Sequence, residues 1–225
     1  SLVSNRVYRA DYQLSSQTFG NGLVDTRLYT PYAGRLTYQS IGSIDTRLFA
    51  YDYNGNLTGK QTLPEVADYV YDDLNRLTVD NDPTPLSFTY DGNGNRQVGA
   101  GLPYTYWPNS NTLATVNSQT INVTPDGNVR TDPTRGLQYT YNNANELATV
   151  NQSGSLLATY GYDPQHLRVS KVSAEGSILY HYDDGGRLLQ ETTPTGTLIR
   201  AYVWADELPI AQITQTPTGE NLVYL

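Results

Sequence analysis

Five aspartates recur along the chain at the same place relative to an aromatic residue, and carboxylates are side chains well suited to acid–base chemistry. Each of them directly follows a tyrosine: Asp52, Asp72, Asp91, Asp163 and Asp183. Two carboxylates flanking a bound sugar would indicate a glycoside hydrolase. A catalytic pair occurs once per site, however, whereas these aspartates occur once per repeat. Because an aspartate that opens a turn can accept hydrogen bonds from backbone amides two residues further on, we interpret all five as turn caps and predict no catalytic residue.

The stretch DGNGNR that begins at Asp91 resembles the start of a calcium-binding loop. An EF-hand requires glycine at its sixth position and glutamate at its twelfth, and these positions hold Arg96 and Leu102. The acidic pairs Asp72–Asp73 and Asp183–Asp184 could bind calcium weakly on a secreted surface. We favour the interpretation that both pairs are solvated turns, and we predict no metal site.

Other catalytic and cofactor-binding patterns are missing from the sequence. The two histidines, His166 and His181, belong to different repeats, and a chain with no cysteine has no thiolate ligand. There is no GxSxG nucleophile motif, and no glycine-rich phosphate loop precedes a helix. We therefore predict that this chain is not an enzyme and holds no cofactor.

Charge and hydropathy exclude two classes of partner. The net charge is −8, and the 14 lysines and arginines are spread singly, so the basic footprint of a nucleic-acid-binding protein is missing. No run of 18 apolar residues exists, so we predict no membrane span. The N-terminal SLVSNRVYRADYQ has no apolar signal segment and no initiating methionine, which favours a processed chain or an excised segment.

Tyrosine dominates the aromatic content, with 20 Tyr against 3 Phe and 2 Trp. A tyrosine ring can be buried while its hydroxyl contacts water or a hydrogen-bond partner, which suits a thin sheet better than a thick, dry core. Exposed tyrosines, Trp107 and Trp204 could stack on sugars. We favour the alternative that the rings pack against each other across a sheet.

The elements that position these residues come from a repeat. The chain aligns on an anchor residue just before a turn, with successive spacings of 20, 19, 16, 17, 18, 21 and 20 residues. The anchors of the aligned units are Tyr51, Tyr71, Tyr90, Tyr106, Val123, Tyr141, Tyr162 and Tyr182. A weaker unit precedes them at Tyr32, and a degenerate last unit follows near Trp204.

Each unit predicts a strand, a turn and a return strand. An aromatic residue two positions before the anchor lies on the anchor's face of the strand, and the residues between are often polar. Glycine or asparagine four positions after the anchor allows positive φ in the turn. We expect strands to end at the tyrosine anchors, and Tyr71, Tyr90, Tyr141 and Tyr162 to be more buried than Thr89, Thr140 and His181. The best helix candidate, residues 63–69, is too short to be more than a turn.

We assign a structural role to the residues that define the anchor and its turn. They are Tyr51, Asp52, Gly55, Tyr71, Asp72, Tyr90, Asp91, Gly94, Tyr106, Tyr141, Tyr162, Asp163, Tyr182 and Asp183.

The unit Tyr-Asp-x-x-Gly-x-Leu, in about nine copies, resembles the YD repeat, also called the RHS repeat. This family includes bacterial RHS and polymorphic toxins, the B and C components of Tc toxins, wall-associated proteins and teneurins. The resemblance implies an all-β fold: an antiparallel strip of β-hairpins that forms a segment of a spiralling hollow shell. We expect residues 1–225 to belong to it, with weak leading units in 1–47, clear repeats in 48–190 and a degenerate last unit in 191–225.

The resemblance also implies a function. It implies a non-catalytic scaffold, part of a shell that encapsulates a C-terminal toxin in a bacterial toxin-delivery system. Its partners would be the rest of the same shell protein and the enclosed polypeptide, and its location would be secreted, at the cell surface or delivered by a secretion system. The alternative is a cell-surface adhesion or carbohydrate-binding protein whose ligands are glycans. The family's self-cleavage motif has no match in this sequence, so no cleavage aspartate is assigned.

We expect the 225-residue chain by itself to self-associate. A strip cut from a spiralling shell has two unpaired strand edges and an aromatic face with fewer partners, and both favour association. The charge of −8 opposes association, but salt screens it beyond about 10 Å at 0.1 M. Light scattering should show an apparent mass that rises with salt. A chain that stays monomeric and cooperatively folded at high salt would instead be a self-sufficient domain.

Overall fold

Short runs of alternating apolar and polar residues, bounded by turn-formers, produce strands along the whole chain. The computed structural model describes residues 2–62, 64–216 and 219–224, and this part contains only strands, turns and bends. The chain divides into two compact units, Ser1–Tyr104 and Thr105–Leu225. No helix in the described part is long and apolar enough to cross a membrane.

The strands of the first unit are six or seven residues long at first and shorten toward its end. They are β1 (Val3–Tyr8), β2 (Leu14–Phe19), β3 (Val24–Tyr29), β4 (Leu36–Ile41), β5 (Asp45–Tyr51), β6 (Leu57–Thr62), β7 (Glu65–Tyr71), β8 (Leu77–Asp80), β9 (Leu86–Tyr90) and β10 (Arg96–Gly99). Strand β11 (Leu102–Tyr106) crosses the boundary between the units.

The second unit begins with short strands and ends with long ones. They are β12 (Leu113–Val116), β13 (Gln119–Thr120), β14 (Asn122–Val123), β15 (Val129–Asp132), β16 (Leu137–Tyr141), β17 (Leu147–Gln152), β18 (Ser155–Tyr162), β19 (Arg168–Ser173), β20 (Gly176–Tyr182), β21 (Leu188–Thr192), β22 (Leu198–Ala205), β23 (Leu208–Thr216) and β24 (Gly219–Tyr224).

The strands pair in the order of the sequence. In the first unit β1 to β10 form an antiparallel meander, and in the second unit β12 pairs with β13 and β14 to β24 form another. These pairings confirm the predicted all-β fold of antiparallel hairpins. Each strand pairs with the next, so all the anchor turns of one unit lie at the same end of its strands. The connecting turns lie at the opposite end of the strands.

The predicted strand ends are confirmed at seven tyrosines. Strands β5, β7, β9, β11, β16, β18 and β20 end at Tyr51, Tyr71, Tyr90, Tyr106, Tyr141, Tyr162 and Tyr182. The anchor pairs with the first residue of the return strand, as Tyr51 does with Leu57, and the register shifts directly before this pair. Such a β-bulge increases the local twist and re-aims the anchor side chain.

The helix candidate at residues 63–69 is wrong. Glu65–Tyr71 is strand β7, and it pairs with β6 on one side and β8 on the other; Leu63 lies outside the described residues. The β-branched Val66 and Val70 and the aromatic pair Tyr69 and Tyr71 favour a strand. Two neighbouring strands also satisfy the backbone groups that a single helical turn would leave unpaired.

The sheets bury few apolar side chains. In the described part of the chain these are Leu14, Phe19, Ala67, Ala114, Ile121, Ala158, Ile210 and Ala211. The anchors are half-buried rather than buried.

The predicted order of burial is confirmed for the two threonines, whereas His181 falls in the same half-buried range as the anchors. Thr89 and Thr140 are exposed, while the anchors Tyr90 and Tyr141 in the same strands are half-buried. His181 is half-buried, like its neighbours in β20. The Nε2 atom of its imidazole lies 2.9 Å from the hydroxyl oxygen of the buried Thr192 on the adjacent strand β21.

Candidate functional site

The anchor turn has the same backbone geometry in repeat after repeat. In the β5–β6 turn the amide of Asp52 donates to the Asn56 carbonyl (3.0 Å), and the amide of Gly55 donates to the Asp52 carbonyl (3.2 Å). The residue four positions after the anchor has positive φ, for example 97° at Gly55 and 87° at Gly94. Glycine adopts this conformation without steric cost, and asparagine tolerates it. The same position holds Asn75, Asn145, His166 and Gly186, each with positive φ.

The aspartate after each anchor binds the amides of its own turn. One carboxylate oxygen of Asp72 accepts hydrogen bonds from the Leu74 amide (3.0 Å) and the Arg76 amide (2.9 Å). The carboxylates of Asp52, Asp91, Asp163 and Asp183 each accept two amide hydrogen bonds in the same way. These contacts are what a turn cap requires.

A second hydrogen bond to the aspartate, donated by a side chain, was not predicted from the sequence. The other carboxylate oxygen accepts from the side chain four residues later: Asn56 on Asp52 (2.8 Å), Arg76 on Asp72 (2.7 Å), Asn95 on Asp91 (2.9 Å) and Arg187 on Asp183 (2.6 Å). The signal was present as an asparagine or arginine four positions after the aspartate in four of five repeats. After Asp163 this position is Leu167, which has no such donor.

Two repeats build the same cap without aspartate, which the sequence analysis did not predict. Asn142 accepts from the amides of Ala144 (2.9 Å) and Glu146 (3.0 Å). The hydroxyl of Thr124 accepts from the amide of Asn128 (3.0 Å). Any short side-chain acceptor at this position can therefore close the turn.

These hydrogen bonds favour the charged form of the carboxylates. The pKa of Asp72 and that of Asp183 are lowered, first by the amide hydrogen bonds of Arg76 and Arg187 and then by the guanidinium groups of the same residues. The pKa values of Asp52 and Asp91 are lowered, first by the side-chain amides of Asn56 and Asn95. A carboxylate with a lowered pKa and engaged oxygens is unsuited to act as a general acid.

The anchor hydroxyl donates a hydrogen bond to the repeat that precedes it. The hydroxyl of Tyr71 donates to the carbonyl of Leu57 (2.9 Å), which is the first residue of the preceding return strand β6. The same bond joins Tyr29 to Leu14, Tyr51 to Leu36, Tyr90 to Leu77, Tyr141 to Val129, Tyr162 to Leu147 and Tyr182 to Arg168, at 2.7–3.1 Å. The indole N–H of Trp204 replaces the hydroxyl and donates to the Leu188 carbonyl (2.9 Å).

Burial raises the pKa of four of these tyrosine hydroxyls. It is the largest cause of the raised pKa values of Tyr71, Tyr141, Tyr162 and Tyr182. A phenol with a raised pKa remains a hydrogen-bond donor across the physiological range, so the inter-repeat bond does not depend on pH there. The remaining predicted anchor, Tyr106, ends β11 and is half-buried.

A second set of contacts joins neighbouring anchor turns at the same end of the strands. A guanidinium nitrogen of Arg76 donates to the Asp91 carbonyl of the next turn (3.2 Å), and the guanidinium carbon lies 4.6 Å from the centroid of the Tyr90 ring. Asn56 donates to Asn75 (2.7 Å), Asn128 donates to Asn145 (3.2 Å), and the Nδ1 atom of His166 lies 2.8 Å from a carboxylate oxygen of Glu146. The residue five positions after one anchor thus contacts the next turn.

Two of the five aspartates and one of the two histidines lie along one groove. An open groove of about 720 Å³ in the second unit is lined by Asp163, His181, Asp183 and Asp184, among others. Asp163 and Asp183 cap their turns, and His181 contacts Thr192. Among the residues described, no group of three or more His, Cys, Asp or Glu side chains could hold a metal ion.

Comparison with known sequences finds the same repeat. The family model described as RHS Repeat matches residues 162–198. The tRNA3(Ser)-specific nuclease WapA of Bacillus spizizenii is 30% identical over 167 residues, which are 68% of this chain and 7% of that protein. The tRNA nuclease WapA of Bacillus subtilis is 30% identical over 149 residues, 60% of this chain and 6% of that protein. This chain therefore spans only a small part of these relatives.

Comparison with solved structures finds the same fold. The crystal structure of TcdB2-TccC3-Cdc42 matches 99% of this chain and 14% of that chain, with a TM-score of 0.65 and 15% identity. A structure of the Photorhabdus luminescens Tc holotoxin pore matches 96% of this chain and 13% of that chain, with a TM-score of 0.67 and 15% identity. At this identity the likeness is one of fold alone.

Removing one anchor hydroxyl should weaken the structure measurably. Tyr141→Phe leaves the Val129 carbonyl without a donor that it has in the native protein, and we expect it to lower the free energy of unfolding by about 0.5–1.5 kcal/mol. Urea unfolding followed by circular dichroism would measure this. Tyr139→Phe is the matched control, because Tyr139 lies on the same face of β16 and its hydroxyl has no partner in the described part of the chain. Equal losses in both variants would contradict an inter-repeat role.

Acid should destabilise the turns through their aspartates. The pKa of Asp72 is lowered in the folded chain, so the stability it contributes is present above its unfolded value near 3.9 and is lost as pH falls through the folded value. We expect Asp72→Asn to make the fall in the urea midpoint below about pH 4 shallower. Asp73→Asn, in the exposed part of the same turn, should keep the native slope. If the urea midpoint of Asp72→Asn and that of the native chain depend on pH in the same way, the ionisation of Asp72 does not contribute to stability as we expect.

Proposed function

The chain belongs to the YD-repeat, or RHS-repeat, family, and on that premise we propose that it is a structural scaffold rather than an enzyme. In this proposal residues 1–225 form part of the wall of a β-shell, and the parent protein supplies the rest of the shell and a C-terminal toxic polypeptide that the shell encloses. Any catalysis belongs to the enclosed polypeptide. The parent protein is secreted or delivered to a target cell.

The observation that carries this proposal is the bond from each anchor hydroxyl to the preceding repeat. Seven tyrosines and Trp204 make it, always to the first carbonyl of a return strand. The aspartates meanwhile close the turns with both carboxylate oxygens in four repeats. The anchor donors therefore connect one repeat to the next and the aspartates fix each turn, and an extended wall built from hairpins requires both.

The relatives support a toxin context. Two of them are named as tRNA nucleases, and the matching solved structures are of Tc toxin components. A glycan-binding role for the anchor face has less support, because the anchor rings are half-buried and their hydrogen-bonding groups are engaged within the sheet.

Protease protection of the parent protein tests the proposal. We expect a C-terminal polypeptide of the parent to resist limited proteolysis when the shell is intact, and to be digested at least about tenfold faster when produced alone. Replacing Tyr71, Tyr141 and Tyr162 by phenylalanine should speed its digestion, because three inter-repeat bonds are lost. The same polypeptide in a parent carrying Tyr139→Phe should remain protected.

Two results would refute the proposal. One is a C-terminal polypeptide that is digested equally fast with and without the shell. The other is a parent reading frame in which no further polypeptide accompanies the repeats.

A further inference from the structure

One pair of neighbouring anchor turns in the second unit lacks the side-chain hydrogen bond that joins other pairs. These are the turns formed by residues 163–167 and by residues 183–187. Among the hydrogen bonds of the described residues, none runs from one of these turns to the other. The bridging position holds Leu167, whose methyl carbons lie 3.8 Å from the point that a Cβ atom on Gly186 would occupy. Leucine makes an apolar contact there but donates no hydrogen bond.

The open groove of about 720 Å³ lies at this pair of turns. Its volume is within the range of ligand-binding clefts, about 300–1,000 Å³. Leu167, Val169 and Tyr182 contribute apolar and aromatic groups to its lining, and Asp163 and Asp183 contribute acidic ones. The described residues that line it include no lysine or arginine. The groove therefore combines apolar walls with acidic groups and has room for a large polar side chain.

The first unit shows which chemical group fits between two such turns. Arg76 occupies the position equivalent to Leu167, four residues after the capping aspartate. Its Nε atom donates to the Asp72 carboxylate (2.7 Å), and a terminal guanidinium nitrogen donates to the Asp91 carbonyl of the next turn (3.2 Å). The guanidinium carbon lies 4.6 Å from the centroid of the Tyr90 ring. One guanidinium thus engages a carboxylate, a carbonyl and an aromatic face.

The turn on the far side of the groove repeats two of these contacts. Arg187 donates to the Asp183 carboxylate (2.6 Å) and to the Asp206 carbonyl of the next turn (2.8 Å). Two separate turns therefore place a guanidinium in the same position. The groove lies where Leu167 takes the place of this arginine.

The groups that engage a guanidinium in those turns are all present at the groove. One carboxylate oxygen of Asp163 caps its own turn, and the other accepts no hydrogen bond from the described residues. Within the same part of the chain, the Asp183 carbonyl accepts only from the amide of Gly186 (2.9 Å). No described cation lies over the ring of Tyr182. A carboxylate oxygen, a carbonyl oxygen and an aromatic face are therefore available to an incoming donor.

We propose that this groove binds the arginine side chain of a separate partner protein. A guanidinium is planar, so it can hydrogen-bond a carboxylate and stack on an aromatic ring at once, which the compact ammonium group of lysine does not reproduce. The apolar stem of the arginine lies against Leu167 and Val169. The net charge of −8 attracts a basic partner. This inference goes beyond the proposed scaffold function and does not depend on it.

An NMR titration with a model peptide tests the site. The probe is a pentapeptide with one arginine between glycines, added to the isotope-labelled chain at about 0.15 M salt to screen non-specific attraction. We expect the amide signals of Leu167 and Gly186 to shift and to saturate. The same peptide with lysine, or with citrulline as the neutral isostere of arginine, should bind at least about threefold more weakly, because the charge and the planar fork are both needed.

Removing the charge of the capping aspartate should weaken binding of the arginine peptide. Asp163→Asn keeps a side-chain acceptor for the turn amides, as Asn142 does in its own turn. Because the charge is lost, we expect the affinity for the peptide to fall at least about threefold. The matched control, Asp91→Asn, makes the same change in a turn of the first unit and should bind the peptide like the native chain.

Supplying the guanidinium from the chain itself should block the groove. We expect Leu167→Arg to abolish binding of the arginine peptide and to raise the urea midpoint, because it adds the contacts that Arg76 makes in its own turn. Leu189→Arg adds the same charge at an exposed leucine of β21 that does not line the groove, and it should still bind the peptide. Circular dichroism establishes that each variant is folded, and Asp163→Asn carries the test alone if Leu167→Arg does not fold.

Three results would overturn the inference. Equal affinity for the arginine and citrulline peptides would show that no guanidinium is recognised. Equal affinity for the arginine and lysine peptides would reduce the effect to general attraction of a cation by an acidic chain. Folded Asp163→Asn and Leu167→Arg variants that bind like the native chain would place the binding elsewhere. None of these measurements involves an enclosed polypeptide, so they are independent of the protease-protection result that tests the shell.

Discussion

The hydrogen bond from each anchor hydroxyl to the first carbonyl of the preceding return strand is the interaction on which the rest of this structure depends. The described residues include only eight buried apolar side chains, so a thick core does not hold the repeats together. Tyrosine combines a ring that can be half-buried on the sheet with a donor that reaches the neighbouring repeat. This bond, made at seven tyrosines and at Trp204, connects neighbouring repeats that share few buried apolar side chains.

The repeat that lacks a donor at the anchor position supports the importance of this hydrogen bond. One repeat has Val123 in the anchor position, and valine has no side-chain donor. In the second unit the run of paired strands is interrupted next to it, between β13 and β14. Where tryptophan replaces tyrosine, at Trp204, the indole N–H makes the same bond and the strands on both sides stay paired. The donor, rather than the phenol as such, is what the position requires.

The aspartates complete the arrangement at short range. Each closes a five-residue turn, and in four repeats the side chain four positions later holds its second oxygen. Arg76, which holds the second oxygen of Asp72, also contacts the next turn, where it donates to the Asp91 carbonyl and lies over the Tyr90 ring. A carboxylate with these partners stabilises the turn, and its engaged oxygens and lowered pKa make it unsuited to act as a general acid.

The sequence by itself determined the features that depend on a few neighbouring residues. Strand ends at seven tyrosines, turns capped by aspartate and positive φ at Gly55 and Gly94 follow from local sterics and hydrogen bonds within five residues. Tertiary structure decided the rest. The acceptor of the Tyr71 hydroxyl lies 14 residues away, and its position depends on a register that the β-bulge sets. Residues 65–69 form a strand because β6 and β8 flank them, and the His181 ring lies 2.9 Å from the hydroxyl of Thr192 on the adjacent strand. These outcomes depend on which strands become neighbours, and local propensity does not carry that information.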